Sequence, residues 1–201
     1  MNCLSCEKLL DSAGQGVHSA CARRLFDSIT VPKIDFAYTD IQSEAQKLIG
    51  KMSISGVQPK LSVAVKRGVL KVVAAHGTHI LKPTPEAFPY LSENENLCMT
   101  LASEAAIETP PHGLLKMADG RLVYIVRRFD RGKNSPKIHV EDFAQLLEKT
   151  DKYDGSVEQI GKFLKIHSSI PFVDTQKLFA RILLCFLTGN GDAHLKNFAM
   201  I

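Results

Sequence analysis

Residues 189–200 read GNGDAHLKNFAM, and the reading of this stretch decides the rest. Asn190 closes the apolar run LFARILLCFLTGN, and Asp192, His194, Lys196 and Asn197 follow directly on it. Ending a helix needs a glycine and little else. The order Asp-x-x-x-Lys-Asn suits a further task. Asp192 can take a proton from a hydroxyl, Lys196 can offset charge on a phosphoryl group in transfer, and Asn197 offers a hard oxygen to Mg2+. The competing reading makes GNGD the end of the long helix and the remainder a polar surface turn.

Phosphoryl transfer also requires a place for nucleotide phosphates, and the chain carries candidates upstream. These are the loop SISGVQPK at residues 53–60, Lys82 in HILKP, and Glu95 in LSENENL. A strand lysine and a helix glutamate suit an ion pair that aims the ammonium at phosphate oxygens, while the glycine-containing loop can lay backbone N–H groups over the others. Singly, each has an ordinary reading: a strand-end surface lysine, a charge at the positive end of a helix, a Ser-Gly turn. Their order along the chain is what joins them.

The periodicity around these motifs gives the fold class. SISGVQPKLSVAV, GVLKVVAA and HGTHILKP predict three successive strands forming an antiparallel meander, and HGLLK and LVYIVRR predict two more around Ala118-Asp119-Gly120. LSENENLCMTLASEAAI predicts a helix with Ser92 as N-cap, Glu95 at the capping-box position, and Leu97, Leu101 and Ala105 along its apolar face. Three- and four-residue spacing predicts helices in VEDFAQLLEK, SVEQIGKFLKIHS and DTQKLFARILLCFL, the last apolar nearly all round. The class is α+β, divided into a Cys/His module at 1–27, a linker with a short helix at 28–50, a β-rich nucleotide-binding lobe at 51–131 and a helical lobe at 132–201.

Three of the five cysteines fall within the first 21 residues. Cys3 and Cys6, then His18 and Cys21, form two close pairs of soft ligands on either side of a turn, the usual plan of a closed tetrahedral Zn2+ site. The alternative is a loose arm of reduced thiols. Cys98 and Cys185, inside apolar segments, read as small core residues. A net charge of +4 is compatible with an anionic ligand but far from the basic stripe of a dedicated nucleic-acid binder, so direct nucleic-acid binding is not expected. No apolar run reaches membrane-spanning length and the first residues lack a secretion-signal core, so a cytoplasmic location is expected.

SISGVQPK, HILKP, the ENE of LSENENL, RRFDR and GDAHLKNF, in this order, resemble the HipA-type serine/threonine kinases, bacterial toxins with a protein-kinase-like bilobal fold. The resemblance covers roughly residues 50–201, and lack of the usual extra N-terminal subdomain makes the chain similar to the short HipT branch. It implies Asp192 as catalytic base assisted by Lys196, and Asn197 as a Mg2+ ligand. For ATP it implies Ser53, Ser55, Gly56 and Lys60 of the loop, Lys82 paired with Glu95, and Arg127, Arg128 and Phe129 at the hinge beside adenine. His194, counted with the ATP-binding residues, would hold the catalytic loop in shape rather than transfer protons. Autophosphorylation is implied at Ser53 and Ser55, where added negative charge should weaken ATP binding. The implied substrate is a translation component such as an aminoacyl-tRNA synthetase. The implied partners are a helix-turn-helix antitoxin and a small separate subdomain protein. Such kinases also use a second metal-binding aspartate beyond the catalytic loop, so the helical lobe is expected to be incomplete: a fragment, a premature stop, or a chain completed by a partner. The alternative class is an inactive pseudokinase, or a zinc-stabilised module that binds protein or nucleic acid.

Overall fold

A computed structural model of the chain describes residues 1–10, 15–41, 59–131 and 137–201. They form two compact units, residues 1–129 and 130–201. Among the described residues no helix is long and apolar enough to cross a membrane.

The first unit is built on a six-stranded sheet. Its strands are β1 (Lys33–Ile34), β2 (Leu61–Lys66), β3 (Val69–Val72), β4 (His79–Pro83), β5 (His112–Lys116) and β6 (Leu122–Arg127), in spatial order β1-β3-β2-β4-β6-β5. All neighbours are antiparallel except β1 and β3. Helix α1 (Ser19–Phe26) precedes the sheet, and α2 (Leu91–Glu104) lies between β4 and β5. Period-two alternation puts Leu61, Val63, Leu81, Val123 and Ile125 into one core with Leu25, Ile34 and Phe36. Lys82, next to Leu81, therefore emerges on the opposite face.

Several details differ from the sequence reading. The first three long strands are not a meander, because β4 pairs with β2 rather than with β3. The chain crosses from one edge of β2 to the other at Gly77, where a β-carbon would lie 1.9 Å from the Ser62 hydroxyl. Only glycine lets the backbone pass that close. The segment expected as a linker is structured through residue 41. Lys33–Ile34 adds a parallel strand, and Ile34, Phe36 and Ile41 are buried, because three large apolar side chains in so short a stretch gain more by joining the core than by staying in water. Helix α2 begins two residues early, with Tyr90 in the left-handed region (φ 62°) as its N-cap in place of Ser92. Ser92 thus sits inside the helix and Glu95 is not part of a capping box. The expected apolar face is reversed: Leu97 and Leu101 are exposed, while Ser92, Asn96 and Thr100 are buried.

The second unit contains β7 (Glu141–Asp142), α3 (Phe143–Leu146), α4 (Val157–His167), α5 (Pro171–Leu187) and β8 (Ala199–Met200), with β7 antiparallel to β8. Asp142 with Gln145, and Ser156 with Gln159, form reciprocal capping boxes that start α3 and α4. Pro171 opens α5, where its missing N–H costs nothing. Phe143, Ala144, Ile160, Leu164, Leu178 and Leu195 make the core. Helix α5 buries only Leu178 fully and exposes Phe172, Phe179, Phe186 and Leu187, in keeping with its nearly all-round apolar sequence.

Candidate active site

Lys82 sits on β4 opposite Tyr124 of β6, and its ammonium donates to Glu95 Oε1 on α2. Both side chains of this ion pair are mostly buried, 21% and 25% exposed, so the attraction is screened less than at an open surface. The Lys82 nitrogen also lies 5.4 Å from the centre of the Tyr124 ring, within cation–π range. Burial, and secondarily the Glu95 charge, push the Tyr124 phenol well above its ordinary range, so it stays neutral beside the pair. The sequence reading missed Tyr124, although its register follows from the alternation of LVYIVR. Ser92 donates to the Lys82 carbonyl at 2.9 Å and ties the start of α2 to the end of β4.

Of the three residues expected at a hinge, Arg127 has its side chain committed to other partners. Its guanidinium donates to both oxygens of Asp27 (2.7 and 2.8 Å) and to the carbonyl of Arg24 (3.1 Å), clamping the end of α1 to the end of β6. The Arg127 N–H donates to Pro111 O and the Arg128 N–H to Thr78 O. Phe129 is 55% exposed. Lys60 is exposed ahead of β2, and Ser53, Ser55 and Gly56 lie outside the described residues.

In the second unit, α5 ends in a Schellman motif. Asn190 N–H donates to Cys185 O (2.8 Å) and Gly189 N–H to Phe186 O (3.2 Å), with Gly189 at φ 67°. The helix-end reading of GN is therefore right for these two residues, and the loop that follows has its own structure. Asn190 Oδ1 accepts from Asp192 N–H at 3.1 Å, and Asn197 Nδ2 donates to the Asp192 carbonyl. Asp192 Oδ1 accepts from the Tyr153 hydroxyl at 3.0 Å, with Lys152 Nζ at 3.9 Å and His194 Nε2 at 3.7 Å. His194 packs edge-on against the Tyr153 ring, 5.4 Å between centres, and its Nδ1 is buried with no hydrogen-bond partner among the described residues. The Asp192 carboxylate is 68% exposed, and Lys196, four residues on, is exposed as well.

The loop TDKYDG, read as a plain polar connection, thus supplies two neighbours of Asp192. Lys152 O also accepts from Leu195 N–H at 3.1 Å, and a β-carbon on Gly155 would lie 2.7 Å from Leu195 Cδ1. Glycine at 155 is the one sequence sign of that close packing.

Cys3, Cys6, His18 and Cys21 converge, their ligand atoms all within 4.8 Å of one another. His18 turns Nδ1 toward Cys6 Sγ (3.3 Å), and its Nε2–H donates to the Leu9 carbonyl (2.9 Å). This is how metal-binding histidines are commonly oriented. Burial works against the Cys3 thiolate, but N–H donors from Cys6, His18 and Ser5 outweigh it and bring the thiol to about 7. Burial and the Cys3 charge push Cys21 up to about 12. Three thiol sulfurs and one imidazole nitrogen at these separations fit a tetrahedral soft-ligand site.

A six-stranded sheet carrying a Lys–Glu pair to its helix, and a helical unit carrying an Asp-to-Asn loop, define an α+β fold of the HipA kinase-like type. The solved HipA of Shewanella oneidensis, in a structure described as a toxin–antitoxin complex with HipB and operator DNA, matches with a TM-score of 0.58 at 24% identity, over 74% of this chain and 40% of that one. The family model for the HipA-like C-terminal domain matches residues 52–201, and the chain belongs to that family. A "Putative kinase" of Haemophilus influenzae is 33% identical over 209 residues, covering 97% of this chain and 60% of its own length. A second, from Sinorhizobium fredii, is 32% identical over 163 residues, covering 75% and 39%. The chain therefore spans between about two-fifths and three-fifths of the length of these relatives.

Proposed function

We propose that the chain transfers the γ-phosphoryl group of ATP to a serine or threonine hydroxyl of a protein. The observation that carries this reading is the Lys82–Glu95 ion pair. It holds an ammonium at a fixed place on the sheet, where it can bind phosphate oxygens without leaving its carboxylate. Asp192 accepts the proton of the attacking hydroxyl as the new P–O bond forms and the bond to the β–γ bridging oxygen breaks. Tyr153 and the closure of the loop by Asn190 and Asn197 aim the Asp192 carboxylate. Lys196 offsets charge on the transferring group. Mg2+, held with the help of Asn197, would supply further charge neutralisation on the phosphates.

The same reading takes Ser53 and Ser55 as sites of self-phosphorylation that reduces ATP affinity. It takes a translation component such as an aminoacyl-tRNA synthetase as substrate, and a helix-turn-helix antitoxin with a small subdomain protein as partners. The HipB and operator DNA present with the Shewanella protein support the antitoxin. The Cys/His cluster is the place for a structural Zn2+.

The test is incorporation of labelled γ-phosphate from ATP with Mg2+, read by mass spectrometry on Ser53 and Ser55. Asp192→Asn is expected to lower the rate by roughly 10²–10⁴-fold and Lys82→Met to weaken nucleotide binding. Equal incorporation in wild type and Asp192→Asn would defeat the proposal.

A further inference from the structure

The first ten residues reach the Glu95 helix through a chain of contacts that phosphoryl transfer alone does not explain. Around the converged ligands, Cys3 N–H donates to Lys8 O (2.8 Å), Glu7 N–H to Cys3 O (3.0 Å) and His18 N–H to Cys3 Sγ (3.4 Å). These bonds make a tight knuckle with Glu7 in the left-handed region, φ 58°. A non-glycine residue holds that conformation only where its surroundings over-determine it. The knuckle has almost no apolar interior, since Cys3, Ala22 and Leu25 are the buried hydrophobic residues of the described part of 1–27. So small an interior cannot fix a rigid turn.

A rigid turn is what the next layer requires. Leu4 O accepts from Leu114 N–H (2.6 Å), and Ser5 Oγ donates to His112 O (2.6 Å). A β-carbon on Gly113 would meet Leu4 O at 3.2 Å and the Ser5 Cβ at 3.2 Å, so β5 is in backbone contact with the knuckle. Toward α2, Glu7 Oε1 accepts from Asn96 Nδ2, Ser5 O accepts from Thr100 Oγ1 (3.3 Å), and Lys8 pairs with Glu104 (3.0 Å). Residues 96, 100 and 104 lie one turn apart on a single stripe. Asn96 is fully buried and adjoins Glu95. The helix is thus fixed by directional bonds to the knuckle on one side while it offers Glu95 to Lys82.

We infer that Cys3, Cys6, His18 and Cys21 take one Zn2+ in a closed tetrahedral site, and that the metal-set knuckle holds α2 in the rotation that keeps Glu95 on Lys82. Zinc occupancy then governs the aim of the phosphate-binding lysine. This last consequence rests on the kinase reading, whereas the metal site and its hold on α2 do not.

The experiment uses the full chain. One equivalent of zinc by elemental analysis after gel filtration is expected. Co2+ replacement should give the intense visible bands of a tetrahedral thiolate centre, and both signals should vanish in Cys6→Ser. Hydrogen–deuterium exchange is then compared with and without chelator. Removal of metal should speed exchange about tenfold in residues 91–104 and 112–116, with little change in 157–187. If chelation unfolds the whole first unit, Asn96→Ala decides: it should keep its zinc and still show faster exchange in 91–104. Absence of bound zinc together with absence of the cobalt bands overturns the site. Retained metal with unchanged exchange in 91–104, both on chelation and in Asn96→Ala, overturns the hold on α2. ATP affinity, followed with a fluorescent analogue, is expected to fall in Asn96→Ala. A zinc-loaded wild type that binds no ATP refutes the kinase reading and leaves the metal result standing.

Discussion

Replacing Arg127 separates two roles that its place in RRFDR allows. The resemblance implies a nucleotide contact at the hinge, whereas the guanidinium is committed to Asp27 and the Arg24 carbonyl by three hydrogen bonds of 2.7–3.1 Å. A charge-assisted hydrogen bond contributes about 1.5–3 kcal/mol when well shielded. Here the Arg127 side chain is 27% and that of Asp27 41% exposed, so solvent screening removes much of that. We expect Arg127→Ala to cost about 1–2 kcal/mol, which in a chain of this size lowers Tm by about 2–8 °C. Arg127→Lys, keeping charge but not the bidentate fork, should recover less than half. The assay is thermal unfolding of Arg127→Ala, Asp27→Ala and the double variant, with ATP affinity measured in parallel. A coupling energy of about 1 kcal/mol with ATP affinity changed less than about threefold is the expected result. An unchanged Tm with a tenfold or greater loss of ATP binding would refute the clamp and return Arg127 to the nucleotide.

Gly77→Ala should destabilise the first unit by about 1–3 kcal/mol in denaturant unfolding, because its β-carbon would overlap Ser62 Oγ; Gly77→Ala with Ser62→Gly should recover most of the loss. His79 and His112 are both held below the ordinary 6.5, first by burial, as neutral rings that donate to Leu25 O and Pro110 O. Since the folded state resists protonation that the unfolded chain accepts, stability is fully present above about 6.5 and is lost as pH falls through the depressed folded values. Tm should therefore drop between pH 7 and 5, and less steeply in His79→Gln. Tyr153→Phe removes the hydroxyl that donates to Asp192 and should reduce kcat about tenfold with the KM for ATP little changed; an equal rise in KM would assign Tyr153 to nucleotide binding instead.

Local spacing and alternation carried the strands, the long helices and the order of the motifs. Lys82 and Glu95 could be paired from sequence because a strand end and the following helix start are neighbours in the chain, and the Cys/His set could be read because its ligands fall in two close pairs. What escaped were contacts of long sequence separation. Tyr153 reaches Asp192 across 39 residues, Arg127 reaches Asp27 across 100, and Asn96 reaches Glu7 across 89. No periodicity encodes such pairs. The reversal of α2 has a different cause. Leu97 and Leu101 form a plausible apolar stripe by composition, but the helix is seated by Ser92, Asn96 and Thr100, whose polar groups find partners that only the folded unit supplies.

The contacts of the first ten residues also set a timetable. Ser5 bonds to His112, 107 positions later, so the amino-terminal turn leaves the ribosome well before the strand it rests on has been made. At roughly 5–20 residues per second, that delay is on the order of 5–20 s. Throughout it the turn has nothing of β5 to rest on and is kept by bonds among its own residues, such as Cys3 N–H to Lys8 O and His18 N–H to Cys3 Sγ.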